Sequence, residues 1–283
     1  RPINSLRLIS TRCARPWKRR LTLTSWKNAR LKFEWDISKF CTFPSGPKIR
    51  SLSQQRRKRM NLDDKIKEIC ALTDGVDLVG VAPVERFSNE PANRRPTAFL
   101  LNANTVIVIG SQLFEVLTRQ LTAQRKICEV SFRDFYDAHN NTVNADLNQT
   151  GYRLARFLTN QGYPSINVGQ DLTDYRTITG AFSFRFAAVQ AGLGAIGKNG
   201  LLINKAFGPR VRLSAVITEA PLEGDQIENL DLCGDCDICY KVCPSGALKA
   251  PFSDGRTNYD RFVCCSFYTA NRGCGLCMSK CPL

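Results

Sequence analysis

The sequence predicts an α+β protein: a mixed helix-and-strand region followed by a small cysteine-rich metal-binding domain. Three observations predict it. Short β-branched runs alternate with helix-period segments between residues 60 and 220. Nine of the thirteen cysteines crowd into positions 233 to 281. Between these regions, PLEGDQIENLD (221–231) turns acidic and polar, which marks a boundary.

Residues 1–59 stand apart. They carry 17 of the 40 Lys/Arg and two of the 25 acids, so the net +15 of the chain is all there. Residues 60–283 balance at zero, without the electrostatic footprint of a nucleic-acid-binding domain. The leader holds Trp17, Trp26 and Trp35 and no methionine; the first is Met60, after QQRRKR. We expect residues 1–59 to be translated upstream sequence or disordered, with the protein starting at Met60. An Arg-rich, acid-poor organellar transit peptide is the other reading.

From Met60, NLDDKIKEICALT places Leu62, Ile66, Ile69 and Leu72 at helical spacing, with Asp63 and Asp64 at the favourable N-terminal end. DLVGVAP and TVIVIGS read as buried strands bounded by Gly and Pro, and YPSINVG and RVRLSAVITEAPL as further strands. Asn144 to Gln161 reads as a helix with Leu147, Tyr152, Leu154, Phe157 and Leu158 on its apolar face. The only histidine, His139, falls in DAHNNTVNAD, read as a solvated polar loop. In DLTDYRTITG, Asp174 and Tyr175 are possible proton donors, or Asp174 caps a turn.

AGLGAIGKNGLLI contains Gly192-x-Gly194-x-x-Gly197. A dinucleotide fingerprint needs a strand before it, and FRFAAVQA has a helix-like composition, so no such site is expected. Gly194 and Gly197 then serve either as an ordinary tight turn or as a close approach to a ligand, with Lys198 and Asn199 offering donors to a cofactor or anionic substrate.

The cysteines carry the strongest signal. Cys233-x2-Cys236-x2-Cys239-x3-Cys243-Pro244 is the bacterial ferredoxin run, whose fourth thiolate ligates the other cluster when two are present. A second set follows in Cys264 and Cys274-x2-Cys277-x3-Cys281-Pro282. Two such sets imply two [4Fe–4S] clusters with exchanged fourth ligands. Cys281 completes the cluster of Cys233, Cys236 and Cys239, and Cys243 joins Cys264, Cys274 and Cys277. Zinc ribbons use two separated pairs instead. Cys13, Cys41, Cys70 and Cys128 show no such grammar and read as small buried hydrophobes. So many cysteines without an apolar signal segment point to a reducing compartment, the cytoplasm, and no apolar run suits a membrane span.

Taken together, AGLGAIGKNGLLI, RLSAVITEAPL, CGDCDICYKVCPSGAL and CGLCMSKCP resemble the epoxyqueuosine reductase group of iron–sulfur proteins, in a short form. The resemblance covers residues 60 to 283 and implies a nitroreductase-like α/β domain (60–228) followed by a double [4Fe–4S] ferredoxin-like domain (229–283). It also implies an oxidoreductase that receives electrons from a ferredoxin or flavodoxin and uses cobalamin beside the clusters. The alternative is a non-catalytic electron carrier or partner-docking protein. Within the second set the resemblance selects Cys264 over Cys265 as ligand and leaves Cys265 as a buried spare. Two features depart from the group. Its aspartate proton donor falls near Ile178 here, where there is no acid, and the tRNA-holding helical repeats do not follow Cys281. tRNA is therefore not the expected substrate, and the sequence names no other.

Overall fold

The computed structural model describes residues 62–122, 132–169, 173–228, 231–251, 257–271 and 273–283, all in one compact unit, Arg56–Leu283. The expectations for residues 1–59, and for Cys13, Cys41 and Cys128, lie outside the described residues.

Four strands form the central sheet: β1 (Leu78–Pro83), β2 (Thr105–Gln112), β3 (Ser165–Val168) and β8 (Val211–Thr218), in the order β1-β2-β8-β3. Every neighbouring pair is antiparallel. Strands β2 and β8 lie in the middle and are buried along nearly their whole length. The pleat sends Ile107, Ile109 and Val216 to one core, and Val106, Val108, Ala215 and Ile217 to the other. Helices cover both faces, which explains runs such as TVIVI without polar alternation. Each fully buried Ile or Val here contributes on the order of 1.5–3 kcal/mol.

Helix α1 (Leu62–Ala71) seals the first core with Ile66 and Cys70, and α3 (Phe132–Asn160) with Val143, Leu147, Leu154 and Leu158. Between them, α2 (Glu115–Thr118) is a single turn after β2. Burial pushes the Cys70 thiol up to about 12, so it is an apolar filler, as its sequence context suggested.

One reading needs correction. His139 lies inside α3, which begins at Phe132 rather than at residue 144. Its Nε2 accepts the Phe114 N–H at 3.1 Å, and its ring stacks on Phe114 at 4.2 Å between centroids. The segment looks loop-like because the apolar stripe of α3 starts only at Val143. Burial holds the His139 imidazole below its ordinary pKa.

On the opposite face, α4 (Phe184–Gln190) buries Ala187 and Ala188, with Ser183 capping it by accepting the Phe186 N–H. Before it, the hairpin β4 (Thr173–Asp174) and β5 (Thr179–Gly180) turns back on itself. After it, the glycine-rich loop closes as the hairpin β6 (Ala195–Ile196) and β7 (Leu202–Ile203). Helix precedes loop, as expected for a segment that is no dinucleotide fingerprint.

The acidic stretch after β8 hugs the edge of β1. Asp225 donates its amide to the Val81 carbonyl at 2.9 Å, and its carboxylate accepts the Val81 N–H at 2.8 Å. The cysteine-rich end then folds as α5 (Ile238–Lys241), an antiparallel pair of β9 (Leu248–Lys249) with β10 (Asn258–Tyr259), α6 (Arg261–Ala270) and α7 (Leu276–Ser279). Asp260 caps α6 by accepting two amides, and α5 packs on α7.

Candidate redox centre

The cysteines sit in two adjoining groups. In the first, the charges of Cys233 and Cys236 bear on both Cys239 and Cys281; burial is the larger cause that pushes each of those thiols up. In the second, burial lifts the Cys277 thiol to about 12, with Cys274, Cys264 and Cys243 adding to it. The charge of Cys239 also bears on Cys277, so the groups lie within electrostatic reach of one another. Burial also raises Cys264, against a hydrogen bond from the Tyr259 hydroxyl. At Cys243 burial is outweighed by the amides of Leu248, Ser245 and Ala247 and the Ser245 hydroxyl, which leave its thiol below the ordinary value.

Cys265 follows Cys264 on α6 with its Sγ 4.0 Å from the Thr269 hydroxyl, and it is not among the described residues lining the cavity that the second group faces. It is half-buried rather than buried. None of the described cysteines is in a disulfide. Among the described residues no three His, Cys, Asp or Glu side chains close on a point suited to one metal ion.

The donor set fits iron–sulfur clusters on a further observation. Arg210 is only 5% exposed, yet its Nε and one terminal nitrogen have no partner. Its charge bears on Cys281, and Arg119 donates to the Cys281 carbonyl at 2.6 Å. Buried donors without acceptors are costly, and the sulfur atoms of a cluster held by Cys281 would satisfy them.

Lys198 and Asn199 are donors, and the structure directs them to the cysteine loops. The Lys198 amide reaches Cys233 Sγ at 3.5 Å, while its ammonium donates to the carbonyls of Gly234 (2.5 Å) and Cys236 (3.1 Å). Asn199 donates to the Cys277 carbonyl at 3.4 Å and accepts the Leu201 N–H at 3.0 Å. Adjacent residues thus tie the first group and the second to one hairpin. The glycines make that hairpin possible. Gly194 has φ 152° and Gly192 has φ 72°; a Cβ on the former would strike the Ile203 carbonyl and on the latter the Gln226 carbonyl. A Cβ on Gly197 would lie 2.6 Å from the Ile203 side chain.

Asp174 and Tyr175 lie on the β4–β5 hairpin. Both Asp174 oxygens accept from Arg176 at 3.0 Å, and this holds the carboxyl below the usual carboxylate range. The arrangement is that of a capped turn. Tyr175 is 82% exposed.

The second group lines a cavity of about 340 Å³, together with Tyr136, Ile178, Arg185, Arg212 and Tyr259. Two further cavities, of about 300 and 280 Å³, share Arg185 with it. The three neighbour one another around Arg185 and are taken together as a trough. Sequence reasoning missed Arg185, Arg210, Tyr259 and Arg261. The one signal for Arg185 was an arginine inside the otherwise apolar FRFAAVQ.

No family model matches the chain. It is similar to the epoxyqueuosine reductase of Lactococcus garvieae, 36% identical over 120 residues, which is 37% of this chain and 32% of the relative. The tetrachloroethene reductive dehalogenase of Desulfitobacterium hafniense is 36% identical over 108 residues, 37% of this chain and 18% of that protein. The matched stretch is thus about a third or less of these relatives. Among solved structures, an epoxyqueuosine reductase bound to a modified tRNA-Tyr stem loop superimposes with a TM-score of 0.52 at 20% identity, covering 78% of this chain and 64% of its own. A reductive dehalogenase described as B12-dependent gives 0.57 at 19%, covering 77% and 31%. The mixed helix-and-strand fold is therefore shared with both kinds of protein. Among the described residues no helix is long and apolar enough to cross a membrane.

Proposed function

We propose that the chain is an iron–sulfur oxidoreductase in which electrons pass through two [4Fe–4S] clusters to a cofactor and substrate in the trough. The observation that carries this reading is that Cys243, Cys264, Cys274 and Cys277 face the trough, while Cys233, Cys236, Cys239 and Cys281 form the adjoining group outside it. The first group takes electrons from a small redox protein, a ferredoxin or flavodoxin, and the second delivers them. The spacing of the runs favours cubanes over zinc. In this reading residues 60–228 form the cofactor and substrate domain and residues 229–283 the cluster domain.

Cobalamin is the cofactor that the similarity to reductive dehalogenases supports. A corrinoid is larger than any one lobe of the trough, so it would span at least two, against Asn199, Leu201 and Val211 of the central lobe. When bound it supplies a cobalt centre that carries the reduction. The chain's own residues anchor the clusters (Lys198, Asn199) and shield the trough from water (Ile178, Phe267). A tRNA is bound by one relative. Residues 60–283 have zero net charge, without the excess of base that a nucleic-acid substrate favours.

The test is retention of cobalamin by anaerobically prepared, cluster-loaded chain. About one corrinoid per chain after gel filtration is expected. Intact clusters with no retained corrinoid would point instead to an electron carrier.

A further inference from the structure

We propose that the trough holds the anionic head of a small substrate, a carboxylate on an apolar body, between Arg185 and Arg261. The inference rests on the trough being the reaction site.

Arg94, Arg185 and Arg261 line the outer lobe, and neither it nor the two lobes that share Arg185 has an Asp or Glu among the described lining residues. Arg185 and Arg261 repel one another across this space. Neither has a carboxylate partner among the described residues. The Gly200 carbonyl accepts from one nitrogen of Arg185, and the Thr179 hydroxyl and Thr177 carbonyl accept from one nitrogen of Arg261; both side chains line the cavity. Both side chains are exposed, and an anion seated between them would accept charge-assisted hydrogen bonds from two guanidiniums. The planar fork suits a carboxylate's two oxygens.

Besides the arginines the lobe mixes polar groups, Thr179 and Ser183, with an apolar wall of Ile178, Phe182 and Phe184. Phe182 and Phe184 meet edge to face at 5.6 Å between ring centroids. Ile178 has φ 48° and is, among the described residues, the only residue other than glycine with a positive φ. A β-branched side chain is strained there, and Ile178 lines the cavity wall. Inorganic phosphate would find the arginines but nothing to match those walls. An anion with a hydrocarbon body satisfies both.

The experiment uses the full chain, cluster-loaded and anaerobic, titrated calorimetrically with benzoate and with its neutral isostere benzamide. Benzoate should bind at least about tenfold tighter, and Arg261→Gln should weaken benzoate about tenfold while leaving benzamide and iron content unchanged. Arg261 is exposed and caps no core, so the variant is expected to fold. Equal binding of benzoate and benzamide would overturn the inference. So would benzoate binding that Arg261→Gln leaves unmoved. A third contrary result would be loss of cobalamin retention with benzoate untouched, which would assign the arginines to the corrinoid's phosphodiester. If iron and cobalamin bind as proposed but benzoate does not, this inference alone fails.

Discussion

The two cysteine groups are built from similar runs but placed differently. The first is held by cations from outside it: Lys198 clasps the Cys233–Cys236 loop, and Arg210 and Arg119 stand beside Cys281. The groups that hydrogen-bond the second are neutral, although Arg185, Arg212 and Arg261 line the cavity it faces. The Tyr259 hydroxyl serves Cys264, backbone amides serve Cys243, and burial is deepest at Cys277. Positive charge and hydrogen bonds both favour a reduced cluster. The difference teaches that similar motifs can be given separate potentials by the residues around them.

Removing a ligand from one group is the most direct way to break the comparison. Cys264→Ser should cost about half the iron, while Cys265→Ser leaves it unchanged, as read by iron analysis and visible absorption. Loss of all iron in Cys264→Ser would show that the groups do not assemble independently. The reverse pattern between the two variants would shift the ligand by one residue.

Next in size is the hairpin that ties both groups to the sheet. Gly194→Ala should destabilise the chain by about 1 kcal/mol or more, because its φ suits glycine and a Cβ meets backbone. A thermal melt unchanged from the parent would mean that the loop relaxes freely.

Single neighbours should then move one potential each. Lys198→Met is expected to lower the potential of the first cluster and leave the second; Tyr259→Phe should lower the second and leave the first. Redox titration followed by paramagnetic resonance separates them. Equal shifts in both clusters from either change would erase the distinction.

The smallest effect lies away from both groups. His139 has its folded pKa depressed by burial, and its neutral Nε2 accepts the Phe114 N–H. The contribution to stability is therefore complete above the unfolded pKa of about 6.5 and is lost as pH falls through the folded value. Denaturant unfolding at pH 7.5 and 5.5 should show a modest loss that His139→Gln reduces; an unchanged difference would assign it to other groups.

Local chemistry was the legible part of this molecule. The cysteine runs, the strands from DLVGVAP to RLSAVIT and the helix before the glycine loop could all be read, because each depends on spacing within a few residues. The first turns of α3 could not, since Phe132 to Thr142 carry no buried stripe and borrow stability from the turns that follow. Nor could the trough. Ile178, Arg185, Tyr259 and Arg261 converge there from two hairpins and two helices, and no local pattern marks them. Lys198 and Asn199 were recognised as donors, but their acceptors lie 35 to 78 residues away.

The central claim is that the eight cysteines hold two four-iron clusters, and iron and acid-labile sulfide analysis of the anaerobically purified chain tests it most directly. About eight irons and about eight sulfides per chain, with a visible band that bleaches on reduction, is the predicted result. Zinc in place of iron, or about four irons with no gain on reconstitution, would contradict it.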